Sequence, residues 1–199
     1  MATSSRLVIR SQKQLAALVS GVRQDIVDLL AEMGNASVAQ LAAGLGRPAD
    51  ALYFHLRALH KAGLVQSAGF RYSGRRKERL FCTTASELRL QYDPQSSMNR
   101  ASVNAIVRSM LRLGIRDFTR AFQPGPLIVD GPGRELVALR KTGRLSSRQL
   151  ADVNQSIGRL TRSVFRPGRK GRLYAITILL IPLERRIRRG AAKSKGVPI

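Results

Sequence analysis

Two stretches of the sequence carry side chains that suit contact with nucleic acid. The first presents small, acidic, aromatic and basic residues at helical spacing: Ala49, Asp50, Tyr53, Phe54 and Arg57. Arginine binds guanine edges or phosphates, tyrosine donates to phosphates, phenylalanine contacts thymine methyl groups and aspartate accepts from cytosine. The second stretch places basic residues on or beside a glycine-rich turn: Arg71, Arg75, Arg76 and Lys77. Cations on a projecting turn favour phosphates or the minor groove.

The elements that must position these side chains begin with helices. Apolar residues at helical spacing predict three of them, over residues 15–33, 37–45 and 48–62. Ser37 and Gln40 form a capping-box pattern at the start of the second helix. Gly46 supplies the unusual backbone dihedral of a tight turn before the third. Two short helices joined in this way are typical of a helix-turn-helix.

The third predicted helix divides into two faces. Leu52, Leu56 and Leu59 should point into the core, so the polar and aromatic residues of the first stretch should be exposed. β-prone runs at 64–67 and 79–83 predict two strands around the basic turn. The predicted order is therefore three helices and a hairpin, which is that of a winged helix.

Composition favours a polyanionic partner. The chain has 199 residues and a formal net charge of +23. Such an excess attracts polyanions, most commonly nucleic acid, but a membrane surface or ribosomal RNA satisfies the same charge, so charge alone does not choose. Cys82 is the only cysteine, so a disulfide within the chain is impossible. The N-terminus does not resemble a signal peptide and the longest apolar run is too short to span a bilayer. We expect a cytoplasmic protein without a membrane partner.

Enzymatic activity is not expected. The chain has two histidines five positions apart, His55 and His60, and lacks a metalloprotease motif, a phosphate-binding loop or paired carboxylates. Residues 131–133 resemble a phosphate loop, but Pro132 removes an N–H that such a loop would use. His55 should be packed against its neighbours or lie beside a phosphate.

The C-terminal half is the more basic half. Residues 1–95 carry a net charge of +6 and residues 96–199 a net charge of +17. Four arginines recur every fourth residue on a predicted helix: Arg108, Arg112, Arg116 and Arg120. Such a ridge is either a solvated face or a further phosphate contact.

The domain organisation predicted is α+β, with a winged helix-turn-helix followed by a smaller helical or α+β module for dimerisation or effector binding. That module should contain strands over 136–145 and 173–183, the latter buried, around an amphipathic helix capped by Ser146 and Gln149. The predicted boundaries are a flexible N-terminus at 1–10, the winged domain at 11–92, the second module at 98–184 and a basic disordered tail at 185–199.

A family resemblance accompanies these patterns. The runs Tyr53-Phe54-His55-Leu56, Ala62-Gly63-Leu64-Val65 and Gly74-Arg75-Arg76 resemble the ArsR-type winged-helix regulators, over residues 15–84. The resemblance implies a homodimer formed through helices near 11–33 and 101–122, and a palindromic operator. Metal-sensing members carry a cysteine motif near the third helix; it is missing here, so the resemblance is to the non-metal branch and implies no cofactor.

The function predicted is a bacterial-type transcriptional regulator that binds specific double-stranded DNA in the nucleoid, with or without a small-molecule effector. The alternative is a basic RNA- or ribosome-associated protein that uses the winged helix as a scaffold. Aromatic residues make up only 5% of the chain, which disfavours single-strand readout by stacking. A protein-interaction module without an operator is a third interpretation.

Overall fold

The computed structural model describes residues 6–123, 125–164 and 171–183. Helices and strands alternate through the first half of the chain and give a mixed α+β fold. In order they are β1 (Arg6–Ile9), α1 (Gln12–Leu18), α2 (Gly21–Met33), β2 (Ala36–Ser37), α3 (Val38–Leu45), α4 (Ala49–Lys61), β3 (Val65–Ser73), β4 (Arg76–Thr83), β5 (Glu87–Leu90), α5 (Ser97–Ala121) and α6 (Ser147–Val164).

Helices α3 and α4 form the predicted helix-turn-helix. The Ser37 side chain accepts from the Gln40 backbone N–H and the Gln40 side chain accepts in return, so the capping box is confirmed. Gly46 has a φ of 60° and ends α3 in the left-handed conformation. Leu52 and Leu59 are fully buried. Strands β2, β4 and β3 form an antiparallel sheet beside these helices, which completes a winged helix.

The single helix predicted over 15–33 is wrong, because the structure divides it into α1 and α2. Ser20 is the N-cap residue of α2, and the interruption frees backbone carbonyls at the end of α1. Buried Gln24 donates to the Leu18 carbonyl at 2.6 Å, and Arg23 donates to the Ala16 carbonyl at 3.0 Å. The apolar pattern ran on unbroken because both helices face the same core.

The flexible N-terminus predicted over 1–10 is wrong for residues 6–9. These residues form β1, which pairs in parallel with β5 in the register Arg6↔Glu87 to Ile9↔Leu90. Ile9 is fully buried, and its burial stabilises the pairing. The sequence pattern predicted neither strand, since the two partners lie about eighty residues apart in the chain.

Helix α5 packs on the winged domain, so the predicted boundary between 92 and 98 does not separate two cores. Val103 and Ile106 are buried in the same cluster as the helices α1–α4. Gln24 of α2 also donates to the Ile106 carbonyl, at 3.4 Å. The side chains of Gln12 and Ser102 join α1 to α5 at 2.8 Å.

Beyond α5 the structure departs from the predicted second module. Helix α6 and its cap at Ser146 and Gln149 are present, but the strands predicted over 136–145 and 173–183 are not formed among the described residues. Residues 173–183 are extended and largely exposed rather than buried. A strand requires a neighbour for its backbone groups, and no strand of the described residues pairs with these segments. The predicted tail, 185–199, lies outside the described residues.

Candidate nucleic-acid interface

The exposed face of α4 carries the residues predicted to contact bases. Tyr53 is 51% exposed and Phe54 is 68% exposed, and Asp50 and Arg57 are also exposed. Ala49 is partly covered at the start of the helix. Asp50 lies in the first turn, where the helix dipole favours an acidic side chain.

The wing is the β3–β4 hairpin, which is longer than the two predicted strands. Ser73 pairs with Arg76, which leaves a loop of two residues, Gly74 and Arg75. Gly74 has a φ of 60° and Arg75 does not have a positive φ, a combination found in type II′ turns. This turn places Arg75 at the tip of the wing, with Arg76 and Lys77 directly after it. All three side chains are exposed.

One aromatic residue organises the cations of the wing. The Lys77 Nζ atom lies 4.4 Å from the centre of the Phe70 ring, and the Arg79 guanidinium lies 5.7 Å from it. Cation–π contacts hold such side chains in place while leaving their charge available. Arg79 was not among the predicted site residues. The hairpin alternation could have found it, because Lys77 and Arg79 are two apart on one strand and share a face.

Arg71 is differently placed from the other predicted contacts. Its Nε donates to Glu78 Oε2 at 2.8 Å and its Nη2 donates to Ser37 Oγ at 3.3 Å. The Arg71 hydrogen bond, with a second from Ser37, lowers the pKa of Glu78 below its ordinary value. The Glu78 side chain is only 13% exposed. The structure thus ties the Arg71 charge to a carboxylate within the wing.

The exposed face of α4 and the wing border one groove of about 450 Å³. The groove is lined from α4 by Ala49, Tyr53, Arg57 and His60, and from β4 by Arg76, Lys77 and Arg79. The structure therefore brings part of each predicted stretch to one concave surface, whereas Asp50, Phe54, Arg71 and Arg75 do not line it. His60 joins this surface, where the sequence analysis gave it no role.

His55 lies on the opposite flank of α4. It is partly buried and its Nδ1 has no hydrogen-bond partner among the described residues. Burial lowers the pKa of His55, and the nearby positive charges of Arg23 and Arg47 lower it further. The neutral form is therefore favoured, which fits the predicted packed histidine.

The arginine ridge predicted on α5 is not uniform. Arg116 donates to both carboxylate oxygens of Asp25 on α2, at 2.8 and 3.0 Å, and also pairs with Asp117 at 2.7 Å. Arg108, Arg112 and Arg120 are exposed, without a salt bridge among the described residues. One of the four arginines therefore attaches α5 to α2 rather than facing a partner.

The described part of the chain contains no cluster of three or more histidine, cysteine or acidic residues placed to hold a metal ion. Its helices include none that combines the length and the hydropathy needed to cross a bilayer.

One comparison with known proteins bears on the fold. Residues 18–67 match a family model described as a helix-turn-helix domain. Among solved structures, the chain is similar to a mutant of Lactococcus lactis ZitR in its apo form, with 15% identity over 75% of this chain and 86% of that chain and a TM-score of 0.30. That likeness is too slight to carry an argument. None of the curated proteins matches the chain.

The fold and the family match together define the class of domain. The matched residues cover α2, α3, α4 and the beginning of β3, and the hairpin that follows supplies the wing. The chain thus contains a winged helix-turn-helix domain. The narrower resemblance to ArsR-type regulators stays a prediction, as does its non-metal branch.

Proposed function

We propose that this protein is a DNA-binding transcriptional regulator that inserts α4 into the major groove and places the wing on phosphates or in the minor groove. The observation that carries the proposal is the shared groove. The exposed face of α4 and the cations of β4 border the same surface, so one duplex can meet both. A helix for base edges and a basic wing for the backbone are the two parts that winged-helix docking needs.

Within α4, Arg57 is the residue expected to contribute most to base recognition. It is exposed, lies on the groove, and its guanidinium can donate two hydrogen bonds to guanine. Tyr53 and Phe54 project from the same face and are suited to a phosphate oxygen and a thymine methyl group. Asp50 and Ala49, in the first turn, lie where a recognition helix approaches the bases most closely.

Within the wing, Arg75, Arg76, Lys77 and Arg79 supply the phosphate contacts. They are exposed, and each cation that neutralises a phosphate releases a counterion, which makes binding salt-dependent. Arg71 has a different part in this proposal. Because it is bonded to Glu78 and Ser37, it positions the wing against α3.

Dimerisation belongs to the same proposal. Four apolar residues on the second half of α5 and at its C-cap are at least 38% exposed and follow one another at intervals of four, three and four: Leu111, Ile115, Phe118 and Phe122. Those intervals are typical of a helix seam that packs against another helix. A homodimer formed there would present two recognition helices to a two-fold symmetric operator. We also propose that the protein is cytoplasmic and nucleoid-associated, and that it has no catalytic activity.

A competition titration tests the proposal against its RNA rival. Labelled random-sequence duplex DNA is bound to the protein and displaced by unlabelled duplex DNA or by a structured RNA of equal length, at two salt concentrations. We expect duplex DNA to compete better at both. Stronger competition by the RNA would overturn the proposal in favour of an RNA-associated function.

A further inference from the structure

The chain beyond α5 is held in a defined arrangement but covers little of its own apolar surface. Fifteen large apolar side chains between residues 125 and 183 are 41–74% exposed among the described residues. At roughly 100 Å² of apolar area per side chain, half of it exposed, this surface is of the order of 750 Å². Six of the fifteen side chains lie between residues 173 and 181, about 300 Å² at the same area per side chain, and an apolar patch of that size on a monomer is often functional.

Glu135 shows that these segments are positioned rather than merely extended. Its carboxylate accepts from Arg172 at 2.6 Å, from the Tyr174 hydroxyl at 2.8 Å and from the Ile128 backbone N–H at 3.0 Å. The Glu135 N–H in turn donates to the Ile128 carbonyl at 2.7 Å. One side chain thus fixes the beginning of the segment 173–183, which we call the C-terminal segment.

The backbone of the C-terminal segment is left open. Its residues are extended, and no backbone hydrogen bond is found for them in the described part of the chain. Its sequence contains six isoleucine and leucine residues between Leu173 and Ile181, and no charge. Pro182 lacks an N–H and would end a strand ladder. An uncharged, β-prone segment with unpaired N–H and C=O groups is a template for another strand.

We propose that two copies of this chain pair through residues 173–181 as antiparallel neighbouring strands, across a two-fold axis. A second strand satisfies both the open backbone and the apolar side chains, which a small effector cannot do. Two chains of net charge +23 repel each other, so contact is favoured where each surface is free of charge. This segment offers that surface.

The residues that follow the segment in the chain do not supply an equivalent cover. Residues 184–199 carry six basic residues and one acidic residue, and such a sequence is poorly suited to an apolar surface.

The C-terminal segment also reaches α5, because Thr177 Oγ1 lies 3.5 Å from the position that a Cβ atom on Gly114 would occupy. It therefore contacts α5 on the stripe that carries Leu111 and Phe118, one turn to either side.

The two-fold geometry makes a specific prediction about cross-linking. In an antiparallel pair related by a two-fold axis, one residue lies opposite its own copy, and every other residue lies opposite a different one. Only that residue has its Cα atoms about 4.5–5.5 Å apart, within the range for a disulfide. Neighbours on either side point to the opposite face.

The test is a cysteine scan of the full-length chain in a Cys82→Ser background. Single cysteines replace residues 174–180 in turn and are oxidised with a mild catalyst, and the yield of covalent dimer is measured. Tyr92→Cys, an exposed position in the loop before α5 and outside the segment, measures collisional cross-linking. We expect one sharp maximum within the segment, several-fold above that control. Yields at every position no higher than the control, or a flat profile, would overturn the proposal.

A second variant separates strand pairing from mere proximity. In an antiparallel pair only alternate residues point their N–H at the partner, so proline is placed at two successive positions, Ile178→Pro and Leu179→Pro, with Ile178→Val and Leu179→Val as matched controls. Cross-linking should fall to the collisional level with at least one of the two prolines and persist with both valines. Equal yields from all four variants would contradict a strand ladder. The proposal does not rest on DNA binding, so its failure leaves the proposed function standing.

Discussion

Arg71 and Glu78 face each other across the wing, with Arg71 Nε 2.8 Å from Glu78 Oε2. The same guanidinium reaches Ser37 Oγ at 3.3 Å, and Ser37 caps α3. The pair therefore connects the hairpin to the first helix of the helix-turn-helix. A basic residue in a wing is easily read as a phosphate contact, but here its charge is engaged within the protein.

The substitution Glu78→Gln tests this positioning role, because charge and geometry predict opposite results. Removal of an acidic group from a phosphate-binding surface should strengthen DNA binding on charge alone. If Glu78 holds Arg71 and the wing in place, affinity should instead fall by roughly threefold to tenfold. Fluorescence anisotropy with a bound duplex measures the effect, and Glu87→Gln on β5 is the control. An unchanged or tighter complex for Glu78→Gln would refute the positioning role.

The pH dependence of the same pair follows from the direction in which the pKa of Glu78 is shifted. The pKa of Glu78 is lowered, chiefly by the Arg71 hydrogen bond, so the carboxylate contributes stability above its unfolded pKa. That contribution is lost only as the pH falls through the lowered pKa of the folded state. DNA affinity should therefore be insensitive to this group between pH 8 and about pH 5, as judged by the difference between wild type and Glu78→Gln.

Substitutions in α4 and substitutions in the wing should affect DNA binding in different ways. Arg57→Ala should weaken binding to a selected operator by roughly tenfold and relax the preference at one base position. Arg75→Ala with Arg76→Ala should weaken binding to all sequences and reduce the logarithmic salt slope by about 2. Arg89→Ala, an exposed arginine on β5, should change neither. Circular dichroism confirms that each variant is folded.

Two outcomes would contradict this division of roles. One is an Arg57→Ala protein with unchanged affinity and unchanged base preference. The other is a wing variant whose salt slope equals that of Arg89→Ala.

Local sequence signals predicted the helix-turn-helix correctly. Ser37 and Gln40 bond across three residues, and Leu52, Leu56 and Leu59 define the buried face of α4 by spacing alone. Such interactions lie within one element, so one sequence is enough to find them.

Local signals could not predict contacts between residues that lie far apart in the chain. Strand β1 pairs with β5 across the whole winged domain, and Arg116 meets Asp25 across 91 positions. The partner of Arg71 was within reach, because a two-residue loop at Gly74 and Arg75 sets Arg71 opposite Glu78. The strands predicted after α5 failed for another reason: a strand pattern specifies a backbone that needs a partner but does not supply one.

His55 should make the stability of the domain pH-dependent. Its pKa is lowered by burial and by Arg23 and Arg47, so the unfolded chain binds a proton more readily than the folded one. Stability is fully present above the unfolded pKa of about 6.5 and declines as the pH falls through the lowered folded pKa. His55→Gln should flatten this decline in urea unfolding measured from pH 7.5 to pH 5. His60→Gln, the exposed histidine, should retain it; a flattened profile for His60→Gln instead would exclude His55 as the cause.

The ion pair between Arg116 and Asp25 should attach α5 to the winged domain. Both side chains are partly exposed, at 31% and 14%, so the expected loss on Asp25→Asn is only about 1 kcal/mol in the free energy of unfolding. A double-mutant cycle with Arg116→Met should show coupling, whereas Asp25→Asn with Arg112→Met should be additive. Additivity in both cycles would show that the contact does not stabilise the attachment.

The central claim, sequence-specific binding of duplex DNA, is tested most directly by selecting bound sequences from a random duplex library with the full-length protein. We predict enrichment of a two-fold symmetric consensus whose half-sites lie about one helical turn apart. The library recovered with Arg57→Ala should lose one conserved position of each half-site. No enrichment over the starting library, with an intact fold, would contradict the account.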